Sequence, residues 1–280
     1  MTTAPVRAPL PRLLRSELRF MLRRPRTLIA LLALAIMPVI AGVSIAIAAD
    51  SMGGGRNAAI EGIASMVEGN GMMLPVLVLL LAVTMLLPLI GSMWAADAIA
   101  GEAATGGLRN LLLAPVSRVR LLAVKAFGVA TLSLLAVVVM AVVSVLAGVV
   151  FLGGAEMVTV SGTTLPFTEA LGRVALLVVA VTVQVWAVAA VALAISTCTD
   201  HPLVVLAAAT GGIIIFTVLG EIPSLDWLHP LLLTESWEAV ADVARDPLPM
   251  NGLTEGFLRA ACYLVIGYSL ALARIVTRDG

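Results

Sequence analysis

At 280 residues the chain is 61% hydrophobic and only 12% charged, where soluble proteins run about 45–50% apolar and about 25% charged. That much apolar surface has no place in a water-soluble core, so the composition excludes a soluble globular protein and describes a polytopic membrane protein. Basic and acidic residues balance at 17 each, and the basic ones sit beside apolar runs without aromatic interleaving, which excludes a nucleic-acid-binding surface.

The first eleven residues are proline-rich and read as a tail without regular structure. Over residues 12–24, Leu14, Leu18, Met21 and Leu22 form one helical stripe and Arg12, Arg15, Arg19 and Arg23 another. A basic amphipathic helix beside an apolar run predicts an interfacial helix on an anionic leaflet of the lipid bilayer. Residues 1–26 are therefore a tail plus interfacial helix, 27–276 a single transmembrane domain, and 277–280 a second short tail. The first apolar run, 27–49, is long enough to cross a hydrocarbon core of roughly 30 Å. It exceeds the h-region of a signal peptide, so a retained span is expected here, with Pro38 as a kink.

A glycine-rich loop over 50–71 leads to a second span, 72–96, which contains Pro75 and Pro88. Then comes a polar interruption, 97–120, holding Asp97, Glu102, Arg109, Arg118 and Arg120. Within it Leu108, Leu111 and Leu112 fall at i, i+3 and i+4, the spacing of one face of a short helix. On periodicity alone an ordinary solvated loop between two spans is the preferred reading over a short helix.

The third span, 121–152, is longer than a bilayer core and has Lys125 at its foot, placed to snorkel. A fourth, 172–197, carries Thr182 and Gln184 near its middle. These are candidates either for polar contacts between helices or for groups lining a pathway. Thr199 to Pro202 predicts a tight turn with Pro202 opening the fifth span, 203–219. The segment 220–258 keeps Trp237, Val240, Ala241 and Ala244 at i, i+3, i+4 and i+7, and predicts short surface helices before the sixth span, 257–276.

Six spans put both termini on one side. Thirteen of the 17 basic residues fall there, from Arg7 to Arg278, so the positive-inside rule places both termini and segment 97–120 in the cytoplasm and segment 220–258 outside. The expected fold is thus an all-α polytopic membrane protein: six transmembrane helices, an N-terminal interfacial helix, a cytoplasmic coupling helix and short external helices before the last span.

The chemistry that is missing narrows the function. Charged residues are absent from the middle third of every predicted span, which disfavours an ion-coupled secondary transporter. There is no HExxH, no Ser-His-Asp arrangement and no pair of carboxylates at membrane depth, which disfavours an intramembrane enzyme. His201 and His229 fall on opposite sides, as do Cys198 and Cys262, so neither a metal cluster nor an internal disulfide is expected. The sequence has no G-x-x-x-x-G-K-[ST] phosphate loop; its one lysine is Lys125.

Residues 101–118, GEAATGGLRNLLLAPVSR, resemble the membrane subunits of type-2 ABC exporters. Glu102, Gly106, Leu111, Leu112, Pro115, Ser117, Arg118 and, beyond them, Lys125 match that pattern, while Gly107 stands where threonine is usual and Arg109 where an acid is common. The resemblance extends loosely to the whole topology. It implies a permease with no catalysis of its own, paired with a second permease subunit, identical or homologous, and with two ABC ATPase subunits that bind ATP and magnesium. The ATPase-coupling residues would be Glu102, Gly106, Leu108, Leu111, Leu112, Pro115 and Arg118. It further implies a prokaryotic plasma membrane and export of a hydrophobic or amphiphilic cargo: a drug, an antibiotic or a lipid-like molecule. The readings that compete are a secondary transporter and a membrane anchor or assembly subunit without transport.

Overall fold

The computed structural model describes residues 9–50, 69–104 and 117–277. Most of the glycine-rich loop and the predicted coupling residues Gly106, Leu108, Leu111, Leu112 and Pro115 lie outside the described residues. The described residues are helical almost throughout. Among the described residues five helices are long and apolar enough to cross a membrane, and the number reaches six when a bent pair is taken as one span.

Helix α1, Leu10–Leu22, keeps the period read from the sequence: Arg12, Arg15 and Arg19 are exposed, Leu14 and Leu18 half-buried and Met21 buried. A short turn at Arg23 and Arg24 leads to α2, Pro25–Asp50, which carries Pro38 inside it. Leu28, Ile29, Leu32, Ile36 and Ile40 of α2 are exposed. A surface of that kind suits hydrocarbon rather than water.

The apolar stretch expected as the second span is not one rod. A 3₁₀ turn, Gly71–Met73, leads into α3, Leu74–Thr84, and then α4, Leu86–Ala104, with a bend of 52° between the two stretches. Met85, between them, leaves helical geometry (φ −148°, ψ −47°). The physical reason lies three residues on. In an unbroken helix the ring of Pro88 would collide with the carbonyl of Thr84, and Pro88 has no N–H to offer it. With the break at Met85, Pro88 falls in the first turn of α4, where a missing N–H costs nothing.

Helix α5, Arg118–Ala147, begins at a cap in which the Ser117 hydroxyl accepts from the Arg120 N–H, and it ends in a wider π-type turn, Gly148–Leu152. A two-stranded antiparallel hairpin follows: β1, Met157–Val158, and β2, Thr164–Leu165, with Met157 opposite Leu165. Helix α6, Phe167–Ser196, is the centre of the bundle. Its most apolar stretch is 61% buried, against 17% for α7, Pro202–Gly220. Packed against α6 are α4 on one flank and the last helix, α9, on the other. The turn before α7 is as expected, with His201 at the N-cap and Pro202 opening the helix.

Between α7 and α9 the chain forms three short helices: a 3₁₀ stretch at Pro223–Leu231, α8 at Glu235–Glu238 and a second 3₁₀ stretch at Ala239–Ala244. Trp237, Val240 and Ala244 of the expected stripe are buried. Helix α9 spans Met250–Thr277. It opens seven residues before the sixth span expected at 257–276, so residues 250–258 belong to this helix and not to the segment between helices. Leu253, Gly256 and Ala260 are its buried side at that end.

Contacts define two ends of the bundle. At the basal end, which carries α1, the Arg118 guanidinium donates to the Val276 carbonyl at 2.8 Å, and the Ser196 hydroxyl bridges the backbones of Ala96 and Ala100. At the distal end the Gly69 N–H donates to the Leu152 carbonyl at 3.1 Å and the Gly71 N–H to that of Gly153 at 2.8 Å. Asn70 bonds both the N–H and the carbonyl of Val158 through its side chain. This approach of two backbones requires glycine. A methyl group on Gly148 would overlap the carbonyl of Gly71, and one on Gly71 would overlap that of Gly148.

Candidate coupling site

The best-knit charged cluster among the described residues lies at the basal end. Glu102 stands in the last turn of α4, the helix that leads into residues 105–116. Lys125 stands two turns into α5, the helix that leads out of them. Glu17 comes from α1. The Lys125 ammonium, 4% exposed, donates to Glu17 Oε1 at 2.9 Å and also contacts Glu102 Oε1. Both carboxylates are nearly buried, at 12% and 10% exposure. The Arg24 guanidinium comes within 3.6 Å of Glu102 and lies over the Phe20 ring at 4.3 Å from its centre.

Local sequence explains the fit. Glu17 and Met21 are one helical turn apart on the face of α1 that meets α5, and Gly128 is opposite them. A Cβ at Gly128 would come within 2.7 Å of the Met21 sulfur and 3.2 Å of Glu17 Cγ. The absence of a side chain there lets α1 settle close enough for Glu17 to reach Lys125. Burying a lysine with two carboxylates is favourable only as a complete set, because each charge left alone out of water costs several kcal/mol. A second pair, Arg26–Asp97 at 3.8 Å, has an arginine 75% exposed and contributes little.

Lys125 therefore does not snorkel outward, as its position at the foot of a span predicts. Its ammonium turns into the junction of three helices because two carboxylates meet it there. Glu17, Arg24 and Phe20 are not singled out by the sequence patterns. The available signal is that Glu17 is the one acid among the first 49 residues and Lys125 the one lysine in the chain.

The other predicted residues are scattered. Arg118 opens α5 and its guanidinium donates to the Ile275 and Val276 carbonyls, acceptors that the end of α9 leaves without helical partners. Thr182 and Gln184 are buried in α6, far along the chain from the basal cluster. The Gln184 amide donates to the Gly256 carbonyl at 3.2 Å and accepts from the Ser236 hydroxyl at 3.2 Å. Both ends of that amide are thus committed to α9 and α8. The Thr182 hydroxyl has no partner among the described residues. Removing the amide with Gln184→Leu is expected to cost about 1–2 kcal/mol. The check is a melting curve in detergent alongside substrate titration: a lower melting temperature with an unchanged apparent affinity marks a contact between helices, and a changed affinity at constant melting temperature marks a pathway residue.

These features define a class: a multi-pass α-helical membrane protein whose charged joint ties a surface helix to the two helix feet flanking residues 105–116. The family follows from sequence comparison. A family model described as ABC-2 family transporter protein matches residues 12–243, which is most of the chain, and the protein belongs to that family as a permease subunit of the type-2 ABC class. Comparison with curated proteins returned no match. The family is a membrane transport component, generally without an ATPase site of its own, and membership implies partnership with ABC ATPase subunits.

Proposed function

We propose that the chain is the permease of an ATP-driven exporter that moves a hydrophobic or amphiphilic substrate out of a prokaryotic cell by alternating access. Two permease subunits, identical or homologous, pair with two ATPase subunits, which bind the ATP and magnesium. Both termini and segment 97–120 face the cytoplasm. Glu102, Gly106, Leu108, Leu111, Leu112, Pro115 and Arg118 carry the coupling, with the leucine face seated on the ATPase.

The observation that supports this reading is the Glu17–Lys125–Glu102 joint. Residues 105–116 connect the two helix feet that the joint clasps. A push on the segment moves Glu102 and Lys125 together and draws α1 with them, instead of being dissipated in a loose loop. The force reaches α4 and, through the packing of α4 and α5 on α6, the centre of the bundle. Differential contact of the ATPase with two such arrangements is what shifts their populations.

The test is a pull-down of the tagged chain in mild detergent from its native host, with ATP hydrolysis assayed on the eluate. An ATP-hydrolysing partner is expected to co-purify and to be lost with Leu111→Asp, while the variant still inserts in the membrane. A chain that elutes without ATPase activity overturns the reading. Retention of the partner by Leu111→Asp moves the docking surface elsewhere.

A further inference from the structure

A cavity of about 1040 Å³ lies at the bend between α3 and α4, bounded by α7 and by the short helices that precede α9. Its walls are apolar, among them Leu80, Leu81, Met85, Ile213, Ile214 and Val218. Its rim is acidic: Glu221 follows the end of α7, and Glu235 and Glu238 belong to α8. The one basic residue on the lining, Arg245, is taken by Asp242 at 3.1 Å. Among the described residues the three glutamates have no basic partner.

Three further features converge on the same space. Helix α7 ends at Gly220, so its carbonyl end, the negative end of the helix dipole, adds to the field of the rim. The Glu235 carboxylate lies directly on Gly220, where any side chain would displace it. Trp237, 4% exposed, lines the cavity, and its indole N–H has no acceptor among the described residues; the buried hydroxyls of Thr210 and Thr234, also on the lining, likewise have none. A volume of this size holds a drug-sized molecule, and pockets for such molecules pair apolar walls with a few polar groups. Carboxylates at the mouth of an apolar cavity suit an organic cation through charge.

We propose that this cavity is a binding site for an amphiphilic organic cation, with the apolar body between α3 and α7 and the positive group at Glu221, Glu235 and Glu238. The assignment rests on the permease reading and adds to it the charge of the cargo. It requires that an anion of the same shape be rejected.

Tetraphenylphosphonium and tetraphenylborate are such a pair: four phenyl rings around a centre of opposite sign. Equilibrium dialysis of each against the purified, detergent-solubilised protein, corrected for protein-free micelles, is expected to show saturable binding of the phosphonium alone. The double variant Glu235→Gln/Glu238→Gln should bind it about tenfold more weakly, as two partly exposed carboxylates are neutralised at once. Glu169→Gln, at the start of α6 and away from the cavity, should leave it unchanged. Equal saturable binding of both ions, no saturable binding of the phosphonium, or a Glu235/Glu238 variant that elutes as the wild type on gel filtration and binds normally, overturns the proposal. The measurement needs no ATP. A failed cation test beside an intact ATPase pull-down therefore leaves the permease reading standing, and a failed pull-down leaves the cation test readable.

Discussion

Lys125→Met is expected to lower the melting temperature of the detergent-solubilised protein by roughly 10 °C, corresponding to the roughly 3–5 kcal/mol lost when one member of a buried ionic set is removed. Methionine fills nearly the same space, so packing changes little. What changes is that Glu17 and Glu102, nearly buried beside each other, lose the ammonium between them. Arg24, at 3.6 Å from Glu102 alone, does not replace a group that touches both. The triple variant Lys125→Met/Glu17→Gln/Glu102→Gln removes the stranded charges and is expected to recover most of the lost stability, since an apolar or neutral set can stand in for a buried ionic one. Transport should behave differently. The triple variant restores a melting point without restoring a charged clasp, so its ATP hydrolysis should continue while transport per ATP falls. A single Lys125→Met variant that melts like the wild type would show that the joint is incidental to the fold.

Gly148→Ala is the second large effect, and its sign is the informative part. In the interior of a helix this change ordinarily gains up to about 1 kcal/mol. Here the added methyl group overlaps the backbone carbonyl of Gly71, which cannot swing aside as a side chain would. The two backbones must part, and with them go the hydrogen bonds from Gly69 to Leu152 and from Gly71 to Gly153. A loss of about 1–3 kcal/mol is expected for overpacking of this kind, seen as a fall in melting temperature. Gly172→Ala is the control: a Cβ there meets no atom within 4 Å, so that variant should melt at or slightly above the wild-type temperature.

How far the sequence speaks depends on how far its signals reach along the chain. The apolar runs, the arginine stripe of α1 and the turn at His201-Pro202 are local patterns, and local patterns are what periodicity records. The break at Met85 is half-visible. Pro75 and Pro88 mark a disturbed span, but the place where the helix must part is fixed by the carbonyl four residues before Pro88. The early start of α9 is hidden by the polar look of Asn251, Thr254 and Glu255, although Leu253, Gly256 and Ala260 mark a buried side at i, i+3 and i+7 that a wider window would find. The joint at Lys125 is beyond reach in kind. Glu17 and Lys125 are 108 positions apart, and nothing in either neighbourhood names the other. The family resemblance around Glu102 and Arg118 supplies roles, not partners. Arg118 holds the end of α9, which no spacing rule connects to it.

That same separation has a consequence during synthesis. Helix α1 leaves the ribosome ahead of α5, and the ammonium that fastens it is made 108 residues later, or roughly 5 to 20 s at ordinary elongation rates. Through that interval Glu17 has no lysine to meet, and α1 rests where its arginines and leucines alone put it. Its docking against α5 is therefore expected to close late, after α2, α3 and α4 have been made. A nascent chain arrested before Lys125 emerges should leave α1 open to a water-soluble cross-linker, and one arrested after α5 is complete should shield it.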